Sequence, residues 1–221
     1  MWQAKPSGAY AVNSEGYLAN ITEMNAFFNA NAYTLEAQAG IIGNSYAESG
    51  LNPWRWQSDS VSYSSGYGLF QFTPARDYIN SCKDVAGYAP NLSTSAMTAG
   101  ANSADGGAQL IVFATDKLQK WTASCWRSYW DSGAYADLYA LRTQILAKYG
   151  TNNRLSMAQF ARIDDIRDAT FAFLACYEGP LVPNLTPRYN MAQTVYPLLT
   201  GDTPTPGKRK KMPVWMYLRY D

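Results

Sequence analysis

Glu48 closes a stretch of small and apolar residues, Gly40-Ile41-Ile42-Gly43-Asn44-Ser45-Tyr46-Ala47, and precedes Ser49-Gly50-Leu51-Asn52-Pro53, where a helix must stop. A carboxyl group there is expected to be partly desolvated and to lie beside the negative end of the helix dipole. Both effects disfavour the charged form and keep a proton on the group near neutral pH. That is what a general acid needs, and proton donation of this kind is commonly worth about 10²–10⁴-fold in rate. A glutamate that forms a salt bridge at a helix end would have the same local sequence.

Asp59 follows on the approach to a Gly- and Tyr-rich stretch and is the first candidate for a facing carboxylate. A pair that polarises a water sits roughly 6.5–9.5 Å apart, a pair with a direct nucleophile about 5–5.5 Å. Asp59 could equally be a turn residue. In Gly66-Tyr67-Gly68-Leu69-Phe70-Gln71-Phe72, Gln71 can hydrogen-bond a sugar, Tyr67 or Phe72 can supply a stacking face, and the glycines admit close approach of the backbone to a ligand. Leu69 and Phe70 read as core. Glu178, ahead of Gly179-Pro180, is a third carboxyl that could act in the site or hold a loop beneath it.

Composition narrows the chemistry. The 221 residues include no histidine, which removes the imidazole that Ser-His and Cys-His nucleophilic pairs and the usual zinc hydrolase sites require. Hydrolysis between carboxyl groups stays open, and neither metal nor cofactor is expected. Cys82, Cys125 and Cys176 are odd in number and widely spaced, and read as small core residues rather than a disulfide framework. Charged residues are 16% and the formal net charge is +1, so no broad field draws the chain to nucleic acid or membrane. Polar uncharged side chains must then cover much of the surface, which suits an uncharged polymer such as a glycan. Met1 to Pro6 lacks the apolar stretch of a secretory signal, and no run approaches the ~18 apolar residues of a membrane span, so if the protein acts outside the cell, something else is expected to deliver it.

These residues must be positioned by an α+β, mostly helical chain. Asn20-Ile21-Thr22-Glu23 has capping-box spacing, which places a first helix from there to about Asn31, and Thr34 caps a second that ends near Gly50. Ser58 to Phe72 alternates as a small β-hairpin lobe would, and Thr73-Pro74 opens another helix. Asp84 to Gly107 reads as loop. Further helices are expected at about Ala108 to Lys120, Tyr135 to Tyr149, Asp165 to Tyr177 and Arg188 to Leu199, and Ser156 begins a second capping box. Residues 1–200 form one domain, 201–207 an extended Pro/Thr/Gly linker, and 208–221 a basic and aromatic tail.

The block Gly40 to Pro53 resembles the helix ending in Glu-Ser of the phage tail lysozyme family, a distant relation of goose-type lysozymes and lytic transglycosylases. Gly66-Tyr67-Gly68-Leu69-Phe70-Gln71-Phe72-Thr73-Pro74 resembles its Gly-Leu-x-Gln-aromatic-Thr-Pro strand. Phe173 to Pro180 is similar to its late Tyr-Glu-Arg-Pro motif, with Gly179 where arginine is usual. The resemblance implies a lysozyme-like fold with a β-hairpin lobe beside the cleft, and cleavage of the β-1,4 bond between N-acetylmuramic acid and N-acetylglucosamine. Glu48 would be the acid. From the residues themselves rather than the resemblance, Asp59 reads as a second catalytic carboxylate and Tyr67, Gln71, Phe72 and Tyr177 as the substrate contacts. The resemblance implies bacterial peptidoglycan as substrate, other phage tail proteins as partners, and a place in the virion tail, acting on the wall from outside during infection. A lytic transglycosylase with the same acid and a non-catalytic glycan-binding tail module are the alternatives.

Deleting residues 201–221 is expected to leave activity on purified wall intact while impairing incorporation into the virion. Loss of folding in the deleted chain, read by circular dichroism, would show instead that the tail belongs to the core.

Overall fold

The computed structural model describes residues 1–87, 105–131 and 133–201. Most of the Asp84 to Gly107 segment expected to loop, and the linker and tail from residue 202 onward, lie outside the described residues. The described residues are mostly helical: α1 (Glu15–Ala30), α2 (Leu35–Ser49), α3 (Ala75–Ala86), α4 (Asp105–Thr115), α5 (Ala136–Tyr149), the single turn α6 (Met157–Phe160), α7 (Ile166–Phe173) and α8 (Leu185–Leu199). α7 runs on through a π-helical turn, Leu174–Glu178.

α2 is the central element, packed on both α7 and α8, which also meet each other. It is buried on nearly every side from Ala37 to Ser45, and its sequence explains how neighbours close in around it. A Cβ on Gly43 would lie 2.6 Å from the Arg188 carbonyl oxygen and 2.8 Å from the Ala192 nitrogen of α8; one on Gly40 would lie 2.8 Å from the Ala169 carbonyl carbon of α7. Only hydrogen fits at either place. The Thr34 hydroxyl accepts from Ala37 N–H as the N-cap, and Gly50 ends the helix in the left-handed conformation. The Ser156 capping box and the Asp165 cap also form as the sequence indicates.

The start of α1 differs. The helix begins at Glu15 with Ser14 as its cap, and Asn20 is buried mid-helix, where its amide donates to the carbonyls of Gln3 and Leu51. Capping-box spacing was matched by chance, because the asparagine is needed to tie the N-terminal segment to the end of α2.

The expected β-hairpin lobe does not form as paired strands. Between Trp56 and Phe72 there are two isolated antiparallel bridges, Trp56 with Tyr67 and Tyr67 with Phe72. A half-buried strand needs one polar face, but Trp54, Trp56, Tyr67, Leu69, Phe70 and Phe72 are all buried. The chain therefore folds on itself, with left-handed backbone at Ser58, Asp59, Gly68 and Gln71, and becomes a looped ledge.

Both backbone polar groups of Leu69 fasten the ledge to the helices. The Ser45 and Ser49 hydroxyls both donate to the Leu69 carbonyl at 3.0 and 3.1 Å, and Leu69 N–H donates to the Gln109 side chain of α4 at 2.6 Å. Asp105, at the start of α4, accepts from the hydroxyls of Tyr67 and Tyr78 and is fully buried, which pushes its carboxyl up to about 7 despite those bonds. Below them Phe70, Phe113, Phe173 and Tyr177 form one ring cluster joining the ledge, α4 and the end of α7.

A disulfide joins Cys125 to Cys176, against the reading of all three cysteines as core residues; Cys82 is free and buried. Nothing in a separation of 51 residues signals this link, which the fold creates by laying the segment after α4 along the π-turn.

Gly43→Ala is expected to cost about 1–3 kcal/mol through overpacking, lowering the thermal midpoint by several degrees at about 2–4 °C per kcal/mol for a chain of this size. A melting curve unchanged from wild type would mean that α2 and α8 can separate freely.

Candidate active site

The end of α2, the ledge, the segment after α4 and the π-turn converge on a cleft of about 400 Å³. It is lined by Glu48, Gln57, Gly66, Phe70, Gln71, Thr73, Lys120, Glu178 and Pro180. Two of the sequence blocks therefore meet here, and the third supplies its floor.

Glu48 is mostly covered, with 22% of its side chain exposed, and its Oε1 lies 2.5 Å from Arg188 Nη2. Arg188 projects from α8 and is held by Asn44 of α2, donating to the Asn44 side-chain oxygen at 3.2 Å. Asn44 is fixed in turn by donation to the Gly40 and Thr170 carbonyls. The carboxylate is thus oriented by a chain of contacts through both helices that flank α2.

Glu178 stands at the end of the π-turn. Its Oε1 is buried, with no hydrogen-bond partner among the described residues. Burial, and then the negative charge of Glu48, raise its carboxyl to about 8, while Lys120, Arg188 and Arg127 oppose the shift. Near neutral pH Glu178 therefore favours its protonated form. Lys120 lies 5.5 Å over the Phe72 ring and 5.6 Å over Tyr177. Burial draws its ammonium below the usual range, against the pull of Glu178 and Glu48, and among the described residues neither a hydrogen bond nor an ion pair reaches that group.

Gly179, the departure from the resembled motif, has φ +53° and no space for a side chain: a Cβ would fall among the guanidinium atoms of Arg127. Arg127 comes from the disulfide-linked segment and donates to Thr122 Oγ1 at 2.8 Å and the Tyr177 carbonyl at 3.4 Å. An arginine thus stands beside Glu178 after all, supplied from 51 residues earlier in the chain.

Gln71 lines the cleft as expected. Its left-handed backbone and the donation of its amide to the Arg55 and Gly68 carbonyls turn its side-chain oxygen toward Gly66, where a Cβ would come within 2.8 Å. Three other expected contacts do not face the cleft. Tyr67 is buried and bonded to Asp105, Phe72 is buried and stacked on Tyr78, and Tyr177 is buried in the ring cluster. Their ring faces are spent on the core, which aromatic residues in a ledge packed from both sides must fill. Asp59 does not line the cleft either: it accepts from Gly8 N–H at 3.0 Å and pairs with Arg55 at 3.3 Å, pinning the N-terminal segment.

Lys120, Arg127 and Arg188 were missed in the sequence. Arg188 left a signal, since it shares the helical stripe of Ala192, Val195 and Leu199, all buried, where an arginine needs a partner. The helix expected to reach Lys120 stops at Thr115, which leaves Lys120, like Arg127, in irregular chain. Among the described residues no group of His, Cys, Asp or Glu could hold a metal ion, and no helix is long and apolar enough to cross a membrane.

The sequence model of the phage tail lysozyme family matches residues 19–199. Morphogenesis protein 1 of Bacillus phage B103 is 45% identical over 49 residues, which are 22% of this chain and only 13% of that protein.

The raised carboxyls of Glu178 and Asp105 fix a pH dependence. Between the usual carboxyl range and about 7–8 the folded state holds protons that the unfolded chain has released, so stability is present in acid and lost as pH rises through that window. Glu178→Gln, which mimics the protonated acid, should narrow the gap in thermal midpoint between pH 5 and pH 8. An unchanged gap would show that Glu178 is ionised throughout.

Proposed function

Because this chain belongs to the phage tail lysozyme family, we propose that it is a tail-associated peptidoglycan glycosidase that opens the bacterial wall locally during infection. The observation that carries the proposal is the cleft in which Glu48 and Glu178 stand together beneath a ledge bearing Gln71. In this reading the bond cleaved is the β-1,4 link between N-acetylmuramic acid and N-acetylglucosamine, on a lysozyme-like helical scaffold. Other tail proteins carry the enzyme to the wall.

Glu48 is the acid that protonates the glycosidic oxygen. In this reading a sugar seated over it displaces the water that still reaches its exposed edge. Glu178 supplies a second carboxyl beneath the cleft, raised by burial and by the Glu48 charge. Arg188 steers Glu48, and the Lys120 ammonium and the Gln71 amide oxygen offer one donor and one acceptor to sugar substituents.

One observation favours the transglycosylase variant of the same reaction. With Asp59 engaged by Gly8 and Arg55, Glu178 is the other carboxyl group lining the cleft among the described residues, and it is buried. A nucleophile supplied by the sugar itself would then replace an enzyme-activated water.

Glu48→Gln should reduce clearing in a peptidoglycan zymogram by about 10²-fold or more. Equal clearing by the two proteins would refute the assignment, and a wild type that binds wall without clearing it would identify a glycan-binding module. Mass spectrometry of the digest separates the chemistries: anhydro-muramic ends mark transglycosylation, reducing ends hydrolysis.

A further inference from the structure

A second concavity of about 330 Å³ lies outside the cleft, between the segment after the disulfide and the start of α5. It is lined chiefly by aromatic rings: Trp126, Trp130, Tyr135 and Tyr139, with Asp131 at its edge. Trp126 stands perpendicular to both neighbours, with ring centroids 5.2 Å from Trp130 and 5.2 Å from Tyr139, and its indole N–H donates to Asp131 at 2.5 Å. Tyr139 is half exposed and is backed by Arg142 at 5.4 Å. Large rings held this rigidly at a surface lose little freedom on binding, so their contact area goes into affinity.

The concavity adjoins the cleft. Trp130 donates its indole N–H to the Pro180 carbonyl at 2.9 Å, and Pro180 lines the cleft on its other side. Tyr129 donates to the neighbouring Gly179 carbonyl at 2.5 Å. The aromatic wall and the cleft rim are thereby one continuous structure, linked again by the Cys125–Cys176 disulfide just behind.

Resting on the glycosidase reading, we infer that this aromatic concavity is a distal subsite for the same glycan strand. It binds an N-acetylated sugar unit beyond those in the cleft. A pyranose presents a flat C–H face that stacks on an aromatic ring, while its hydroxyls and acetamido N–H are donors for the one carboxylate at the rim, Asp131. The subsite holds a long strand across the cleft and favours polymer over short fragments.

The test uses the full chain carrying Glu48→Gln and two soluble β-1,4-linked N-acetylglucosamine oligomers, a trimer and a hexamer, with binding measured by calorimetry. The hexamer should bind more tightly than the trimer. Trp126→Ala and, separately, the milder Tyr139→Ser should each remove that advantage, a loss of about tenfold in hexamer affinity for a ring of this size, and leave trimer binding unchanged. Tyr139 is half exposed, so its replacement keeps the test valid should Trp126→Ala fail to fold. In the active protein, Tyr139→Ser should raise KM on long strands and leave turnover of short ones unaltered. A hexamer advantage that survives Tyr139→Ser in a folded protein, or a hexamer that binds no better than the trimer, overturns the subsite while the glycosidase stands on its wall clearing. If neither oligomer binds and Glu48→Gln clears wall as wild type does, the glycosidase reading falls and this inference with it.

Discussion

The ion pair between Arg188 and Glu48 is made across a helix contact that excludes every side chain at Gly43, and the rest of the site is arranged around that pair. An arginine can enter a helix interface only if the backbones approach closely enough for its guanidinium to reach a carboxylate rather than remain unpaired, since an isolated buried charge costs several kcal/mol. Gly43 permits the approach, Asn44 accepts one arm of the guanidinium, and Glu48 takes another. The catalytic candidate is therefore part of the packing of α2 on α8, and its orientation is as firm as that packing.

Beneath Glu48 and its cation, Glu178 is the carboxyl that burial raises. Three cations lie around the two carboxyls, yet burial and the Glu48 charge outweigh them at Glu178. Two carboxyls close together in a covered site do not both ionise readily, and the one with less water keeps the proton. Arg127 and Lys120 limit how far this goes. Without these cations, burial and the Glu48 charge would raise the Glu178 carboxyl further.

What was legible in the sequence is what local rules control. The Glu-Ser helix end, the Thr34 and Ser156 caps and the αL stop at Gly50 depend on residues a few positions apart, so they appear in the structure where the spacing puts them. The alternation from Ser58 to Phe72 misled because period-two patterning presumes one wet face, and this segment is buried by α2 on one side and α4 on the other. Its tyrosine and phenylalanine rings became core for the same reason. Asp59 was chosen for its nearness in sequence to Glu48, but a turn with two left-handed residues carries its carboxylate toward the N-terminal segment. Arg127 and Lys120 depend on contacts between segments distant in the chain, where no periodicity operates.

The segment between α4 and α5 shows how such distant contacts are made durable. Among its described residues the short turn Ser128–Trp130 is the one regular element, yet the segment delivers Lys120 and Arg127 to the carboxyls and the tryptophans to the outer face. Trp121 donates to the Leu155 carbonyl, Leu155 N–H donates to Ala123, and Thr122 N–H donates to Cys176. The Cys125–Cys176 bond adds a covalent tie, and a cross-link closing a loop of this length limits the unfolded chain by an amount typically worth about 2–4 kcal/mol. Such a bond persists where conditions are oxidising, which is the situation outside a cell, where the proposed attack on the wall takes place. One irregular segment, stapled at its middle, thus sets both the charge around Glu178 and the ring geometry beyond Pro180, so that a strand held by the outer rings would reach the cleft in a fixed register.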